Sequence, residues 1–276
     1  MSRADISLPQ QRPFLKTSRT DLWWLFPAIT VVYFLSFIVY STWAAFQGNN
    51  YFFAGNGAEY LSPMYSPVLW DAPGIHSGHA WFSGEWPKWL GILPVASPAL
   101  LILWAPGGFR FTCYYYRGAY YKAFWQDPVN CAVGEPRKGY LGERYLPLIL
   151  QNIHRYFLYL ALVFIVLLTW DAIKSFMFLG DDGHHHFGIR IGSLVLTANA
   201  VLLAGYTFGC HSLRHLVGGK HDCVSANPAN YAAWKCVSCF NRGHMIWAWI
   251  SLFWVGFTDF YVRMCSMGHW TDWRIL

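Results

Sequence analysis

The sequence has 276 residues, of which 55% are hydrophobic, 20% are aromatic and only 12% are charged. Soluble globular proteins carry about twice that share of charged residues. The composition therefore excludes an ordinary soluble enzyme, and it also excludes a disordered or nucleic-acid-binding chain. The formal net charge is +6, but the basic residues fall in blocks between apolar runs, which indicates membrane topology rather than an acidic ligand.

Five apolar stretches are long enough to cross a hydrocarbon core that is roughly 30 Å thick. They predict a single transmembrane domain, 1–276, with an all-α integral membrane bundle of five transmembrane helices at about 22–46, 89–109, 146–179, 191–217 and 245–264. The first stretch is too long for a secretory signal and has no small-residue cleavage site behind it. The second contains Pro94, Pro98 and Pro106, so we expect it to be kinked.

The positions of Lys and Arg predict the orientation, because cytoplasmic loops retain positive charge. A cytoplasmic N-terminus and an outer C-terminus leave only five of the 20 basic residues outside, namely Lys88, Lys174, Arg190, Arg263 and Arg274. The segments 110–145 and 218–244 are then cytoplasmic loops. The outer loop 47–88, which is rich in Gly, Pro and aromatic residues, is predicted to form a lid over the outer helix ends.

This topology collects thiols and imidazoles on the cytoplasmic side. Six of the seven cysteines lie there, namely Cys113, Cys131, Cys210, Cys223, Cys236 and Cys239. A reducing cytoplasm disfavours disulfides, so ligation is the better use for them. Histidines from three predicted helices lie at the same depth, namely His154, His211, His215 and His244. Thiols and imidazoles with few carboxylates exclude a calcium site and favour iron, zinc or haem.

The spacing of these residues suggests a redox centre. In GCHSLRHLVGG, His211 and His215 share one helix face and Cys210 shares another with Arg214. Two Cys on one iron and two His on the other form a Rieske-type [2Fe-2S] cluster, whose raised potential suits electron delivery to a quinone. The predicted ligands are His154, His215, Cys210 and Cys239, and the alternatives are Cys113, Cys236, His211 and His244.

Two other interpretations stay open. A single b-type haem would use His154 and a facing histidine, whereas a dihaem subunit is disfavoured because the first two predicted helices contain no histidine. A structural zinc site in the region 210–244 would instead belong to a membrane transporter or assembly protein. Such a zinc site explains neither the depth of His154 nor an arginine, Arg214, within membrane depth.

A quinone site needs an apolar slot and a few hydrogen-bond donors for the carbonyl groups. Aromatic and basic residues surround the same cytoplasmic region of the sequence. The predicted donors are Arg155, Tyr156, Tyr159, His211, Arg214 and Trp247. No residue of the chain is predicted to be catalytic.

Several segments together resemble one family. They are FTCYYYRGAYYKAFW, DPVNCAVGEPRKGY, LILQNIHRYFLYLAL, GCHSLRHLVGG, CFNRGHMIWAWISLFWVGFTDFYVR and the terminal WTDWRIL. Over about residues 90–276 the chain resembles the membrane-anchor, cytochrome b-like subunit of actinobacterial succinate dehydrogenases. The resemblance implies a multi-pass protein of the bacterial inner membrane that binds an iron-sulfur subunit and an FAD-containing flavoprotein and passes electrons from succinate to menaquinone.

The chain itself contains no FAD motif and no soluble ferredoxin run of cysteines, so it cannot oxidise succinate alone. Related five-helix fumarate reductase anchors usually hold two haems through histidines on four helices, and this sequence departs from that pattern. Its basic cytoplasmic surface would suit an acidic partner face or anionic lipid. That surface comprises Arg110, Arg117, Lys122, Arg137 and Lys138. An oligomer of the whole complex is compatible with the sequence.

Overall fold

The computed structural model describes residues 13–82, 86–137, 144–146, 148–180, 183–219 and 222–276. The helices in these ranges are α1 Leu25–Gln47, α2 Pro98–Ile102, α3 Trp104–Phe111, α4 Tyr114–Ala119, α5 His154–Lys174, α6 Ile191–Phe208, α7 His211–Gly218, α8 Pro228–Arg242 and α9 His244–Ser266. Shorter turns of 3₁₀-helix occupy Lys88–Ile92, Leu148–Ile153 and Val224–Ala226, and a π-helix occupies Tyr120–Trp125. Two antiparallel hairpins pair β1 Phe52–Gly55 with β2 Ala58–Leu61 and β3 Met177–Leu179 with β4 His185–Phe187.

Four helices are long and apolar enough to cross a membrane, namely α1, α5 with the 3₁₀ turn before it, α6 and α9. They confirm the predicted helical membrane bundle at four of the five apolar stretches. Two of their boundaries differ from the prediction. The helix predicted over 191–217 is interrupted after Phe208. In the stretch predicted over 146–179 the helix ends at Lys174, and β3 follows it.

The second predicted helix, 89–109, does not form as one helix. Its residues fold as the 3₁₀ turn Lys88–Ile92 followed by α2 and α3. Proline explains the interruptions, because it has no backbone N–H and disfavours helical geometry in the residue before it. Ser97 is extended, with φ −122° and ψ 121°, and Pro98 begins α2 directly after it.

The chain forms two compact units. The smaller consists of Met1–Ser36 and Phe111–Asn152, and the larger of Phe37–Arg110 and Ile153–Leu276. In the smaller unit the N-terminal segment pairs with a loop, since the backbone N–H of Leu15 donates to Gly134 and that of Gly134 donates to Lys16. Arg19 secures the same pairing by donating to the side chain of Asn130. The π-helix and α4 lie in the segment predicted as a cytoplasmic loop, and Lys138 lies outside the described residues.

In the larger unit α6 packs between α5 and α9. Small residues on α6 permit the close approach: a Cβ at Gly205 would lie 2.7 Å from the Trp247 ring of α9. Glycine is therefore needed at this crossing, because any larger residue would separate the helices.

A buried ion pair fixes the loop between α1 and α2. We call residues 48–82 the lid. Arg263, only 1% exposed, donates from Nε to Asp259 Oδ2 at 2.8 Å and also to the carbonyl oxygens of Ala44 and Asn49. Asp259 accepts a further hydrogen bond from Ser62 of the lid. The end of α1, the end of α9 and the lid are therefore joined through one charged pair.

A second carboxylate, Asp272, joins the lid to α6 and α9. It accepts hydrogen bonds from the phenols of Tyr60 and Tyr261 and from the backbone N–H of Gly192. Burial, reinforced by the hydrogen bond to Asp272, raises the pKa of Tyr60 well above its ordinary value, so Tyr60 remains a donor. The start of α6 thus lies at the lid end of the larger unit.

The interrupted segment runs from the lid end of the larger unit to its opposite end. The hydroxyl of Ser97, just before α2, lies 3.4 Å from the hydroxyl of Tyr65 in the lid. At the other end of the segment, Arg110 donates to the carbonyl oxygen of Ala248, in the second turn of α9. The chain therefore passes through the larger unit between Ser97 and Arg110 although no single helix does so.

We predict that Arg263→Leu destabilises the chain by about 3–5 kcal/mol, because the variant leaves Asp259 as a buried carboxylate without its cation. Thermal unfolding of the purified protein in detergent should show a midpoint several degrees lower. The matched control is Arg274→Leu, which removes an exposed arginine near the same end of the unit and should change stability by no more than about 0.5 kcal/mol. Equal midpoints for the two variants would contradict this account of the lid.

Candidate functional site

Two histidines and a cysteine lie at the end of the larger unit opposite the lid. We call His154, Cys210 and His244 the His-Cys cluster. His154 begins α5, Cys210 precedes α7 and His244 begins α9. The Nε2 atom of His154 lies 3.2 Å from the Sγ atom of Cys210. The three side chains are 9%, 1% and 1% exposed, so soft and borderline metal ligands are concentrated in a site that excludes water.

A break in the helix places Cys210. Helix α6 ends at Phe208, and the backbone at Cys210 is extended, with φ −62° and ψ 134°, before α7 begins. Glycine at 209 is required by close packing, since a Cβ there would lie 2.9 Å from His244 Nδ1 and 3.0 Å from the carbonyl oxygen of Phe240. The amide of Asn241 donates to the Gly209 carbonyl at 2.7 Å. These contacts hold the break, and with it Cys210, against α8 and the start of α9.

Two aromatic rings connect the imidazoles of the cluster. Phe109 stacks on His154 with ring centroids 4.8 Å apart and planes 7° apart. Tyr206 stacks on His244 at 5.0 Å and 15°, and it meets Phe109 edge to face at 5.3 Å. The imidazoles are thereby fixed in orientation by π-packing as well as by burial.

Arg110 packs against the same aromatic group. Its guanidinium carbon lies 4.7 Å from the centroid of the Tyr206 ring. The two terminal nitrogens donate to the carbonyl oxygen of Ala248 at 3.1 Å and to the hydroxyl of Ser251 at 2.9 Å. A cation is thus held beside the ring that stacks on His244.

A cavity of about 190 Å³ lies beside this aromatic group. Phe109, Arg110 and Tyr206 line the cavity, and Pro63 and Met64 of the lid also line it. Most of its wall is apolar, and in the described part of the chain Arg110 is the charged residue of the lining. The cavity therefore combines an apolar volume with a few polar groups, as is typical of sites for small hydrophobic molecules.

The structure separates the other predicted ligands by exposure. Cys113, at the start of α4 in the smaller unit, is 1% exposed. The remaining four are exposed: His211 and His215 on α7, and Cys236 and Cys239 on α8. The ring centroids of His211 and His215 are 6.3 Å apart. Within the described residues there is no group of three or more His, Cys, Asp or Glu that could hold a single metal ion.

The predicted quinone donors do not line the cavity in the described structure. Arg155, Tyr156, Tyr159 and His211 are exposed. Arg214 donates to Ser238 and lies over the Trp234 ring, while Trp247 packs against Phe240. Sequence reasoning missed Phe109 and Tyr206 and counted Arg110 only as part of a basic surface. One signal was available, because Tyr206 precedes Cys210 by about one helical turn.

Comparison with known proteins identifies the family. The chain matches the family model of the actinobacterial succinate dehydrogenase subunit SdhC over residues 25–268. The chain belongs to this family. It is accordingly a multi-pass membrane-anchor subunit of a succinate dehydrogenase, a succinate:quinone oxidoreductase, which confirms the resemblance found in the sequence.

A solved structure supports the same conclusion. The chain is similar to a chain of the "Mycobacterium smegmatis Sdh1 complex in the apo form", with a TM-score of 0.82 and 39% sequence identity over 98% of both chains. No curated protein matches the chain.

We predict that Gly209→Ala lowers the free energy of unfolding by about 1–3 kcal/mol, because the added Cβ overpacks the contact with His244 and Phe240. The measurement is chemical or thermal unfolding of the purified chain in detergent. Gly118→Ala is the matched control, since a Cβ on this glycine of α4 would meet nothing within 4 Å and alanine favours a helix. The explanation fails if Gly209→Ala is as stable as Gly118→Ala.

Proposed function

We propose that this membrane-anchor subunit carries electrons from an iron-sulfur subunit to menaquinone in the membrane. The iron-sulfur subunit would receive them from an FAD-containing flavoprotein that oxidises succinate. A Rieske-type [2Fe-2S] cluster held by the His-Cys cluster is the proposed carrier. The observation that supports it most directly is the 3.2 Å approach of His154 Nε2 to Cys210 Sγ in a buried site of a membrane protein.

The donor types fit such a cluster. It takes two imidazoles on one iron and two thiolates on the other. His154 and His244 would supply the imidazoles and Cys210 one thiolate, and the group, when bound, supplies one-electron transfer. Burial favours His244 over the exposed His215, which was the first choice from the sequence.

The second thiolate is proposed from the same compact unit. Cys239 lies on α8, which packs against α6 and α7 in the larger unit. It is the first choice from the sequence, and Cys236 on the same helix is the alternative. We therefore keep Cys239 as the proposed fourth ligand, although both thiols of α8 are exposed.

The cavity is the proposed quinone site. Its apolar wall suits a quinone ring and the start of an isoprenoid tail, and Arg110 and Tyr206 offer donors for a carbonyl oxygen. Reduction of a quinone to a quinol takes two electrons and two protons. Tyr206, which lines the cavity, stacks directly on His244 of the cluster, so the cavity adjoins the proposed electron carrier. The exposed donors predicted from the sequence, such as Arg155 and Tyr156, would form a slot open to lipid. The cavity is favoured because it adjoins the buried cluster.

The proposed topology has five crossings with a cytoplasmic N-terminus. Four crossings are the long helices, and the fifth is the interrupted segment from Ser97 to Arg110, which passes from one end of the larger unit to the other. The His-Cys cluster would then lie at the cytoplasmic end, where the excess of basic residues is expected. An iron-sulfur subunit would dock on this side.

The two alternatives have less support. An axial histidine binds haem iron through a ring nitrogen, so a haem needs open volume beside that nitrogen. No histidine is found among the described residues that line the cavity. A structural zinc site in the region 210–244 would leave the buried His154 of α5 without a role.

We predict that His154→Ala and Cys210→Ser abolish the low average g-value paramagnetic signal of the reduced, purified complex, because each variant removes a ligand of the centre. Cys239→Ser should abolish it too, whereas Cys223→Ser, which changes an exposed cysteine outside the proposed set, should retain it. Iron content per complex, measured in the same samples, separates loss of the cluster from a change in its spectrum. A full signal in His154→Ala would remove the His-Cys cluster from the proposal.

A second prediction tests the cavity. Ala161 of α5 lines it, so Ala161→Phe should raise the KM for quinone or lower the rate of quinone reduction at least tenfold by filling the available volume. Succinate oxidation with a soluble artificial acceptor should be unchanged. Val166→Phe, which adds similar bulk to an exposed position of the same helix, is the control. If both variants reduce quinone at the normal rate, the quinone binds elsewhere.

A further inference from the structure

Arg110 is held firmly between two structural elements. It belongs to the last turn of α3, yet its terminal nitrogens donate to a carbonyl and a hydroxyl of α9, at Ala248 and Ser251. Ser251 is itself completely buried. The planar guanidinium needs both contacts to keep its position, and a lysine ammonium would not reproduce this fork.

The side chain of Arg110 contacts both parts of the proposed pathway. It lines the cavity, and it lies 4.7 Å from the centre of the Tyr206 ring. Tyr206 in turn stacks on His244 of the His-Cys cluster. The positive charge is therefore one aromatic ring away from a proposed ligand of the redox centre and directly beside the proposed quinone.

The sign of this charge has a defined effect on electron transfer. Each reduction adds one negative charge, and a fixed positive charge nearby stabilises the more negative form. Arg110 is half-buried against a largely apolar cavity wall, so solvent screens its charge less than it screens the charge of an exposed side chain. The positive charge therefore raises the reduction potential both of the centre at the His-Cys cluster and of a quinone in the cavity.

We propose that Arg110 is a shared electrostatic residue, which raises the reduction potential of the centre at the His-Cys cluster and binds the carbonyl end of the quinone in the cavity. The proposal rests on the proposed function and extends it to one residue with two roles. Arg110 acts on the quinone by contact and on the centre through space.

Exposure distinguishes Arg110 from Arg242, an arginine close to the cluster in sequence. Arg242 lies two residues before His244, but its side chain is exposed on the last turn of α8. Water and salt screen an exposed charge, so it contributes little to the potential of a buried centre. Arg242 therefore provides a matched control for the loss of one positive charge.

The decisive experiment compares Arg110→Gln with Arg242→Gln in the purified whole complex. We expect Arg110→Gln to lower the midpoint potential of the centre, measured by a redox titration followed by paramagnetic resonance. It should also raise the KM for quinone about tenfold or more, as expected for the loss of one charged hydrogen bond. Arg242→Gln should leave both quantities at their wild-type values.

A second variant separates the charge from the fork-shaped contact. Arg110→Lys keeps the positive charge but gives up the paired bonds to α9. We expect its midpoint potential to stay near that of the wild type while its KM for quinone rises. Full recovery of both quantities in Arg110→Lys would show that charge alone acts, and a low potential in this variant would show that structure rather than charge sets it. Either result would overturn the two-part role.

The outcomes also separate this inference from the proposed function. A wild-type complex without the paramagnetic centre would refute the proposed carrier. A wild-type complex that has the centre, together with an Arg110→Gln variant that changes only the potential or only the KM, or neither, would refute the shared role of Arg110.

Discussion

The break between α6 and α7 is the constraint on which the candidate site depends. Cys210 has extended backbone angles, φ −62° and ψ 134°, and its thiol lies 3.2 Å from His154 Nε2. An uninterrupted helix would give Cys210 a different backbone conformation and would direct its thiol elsewhere. The break is held by the amide of Asn241 and by the absence of a side chain at Gly209, where His244 packs closely. The residues that fix the backbone are therefore the immediate neighbours of the residues that offer ligands.

The two ends of the larger unit use buried polar groups differently. At the lid end, Arg263 and Asp259 form a charged pair whose remaining hydrogen-bonding capacity is taken up by Ser62 and by backbone carbonyls. The charged groups of this pair have hydrogen-bond partners within the protein, and the pair holds the lid in place. At the other end the buried groups are imidazoles, which bind a metal through the lone pair of a ring nitrogen, and a thiol, which gives up its proton when it binds a metal. The first arrangement suits structure and the second suits ligation.

The apolar cavity and the aromatic group beside it connect these ends. Phe109 and Tyr206 orient both imidazoles of the cluster and also form part of the cavity wall. Any molecule in the cavity would therefore contact the same rings that support the candidate ligands. Met64 of the lid lines the cavity as well, so the lid contributes to the enclosed volume. Under the proposed function, a lipid-soluble acceptor in this cavity would lie close to the electron carrier.

Sequence alone determined the fold class, the family and the residue types of the site, because length, hydropathy and ligand chemistry are local properties. Four long apolar stretches form helices as predicted, and His154 and Cys210 were identified as candidates from their residue types and depth. The tertiary structure decided the rest. The second stretch forms short helices because its prolines lack the N–H group that a continuous helix needs. Whether a helix continues past a proline depends on the packing around it, which the sequence does not show. Exposure separated His244 from His215, and Arg110 and Tyr206 joined the site because helices far apart in sequence pack together, which no periodicity in a single segment encodes.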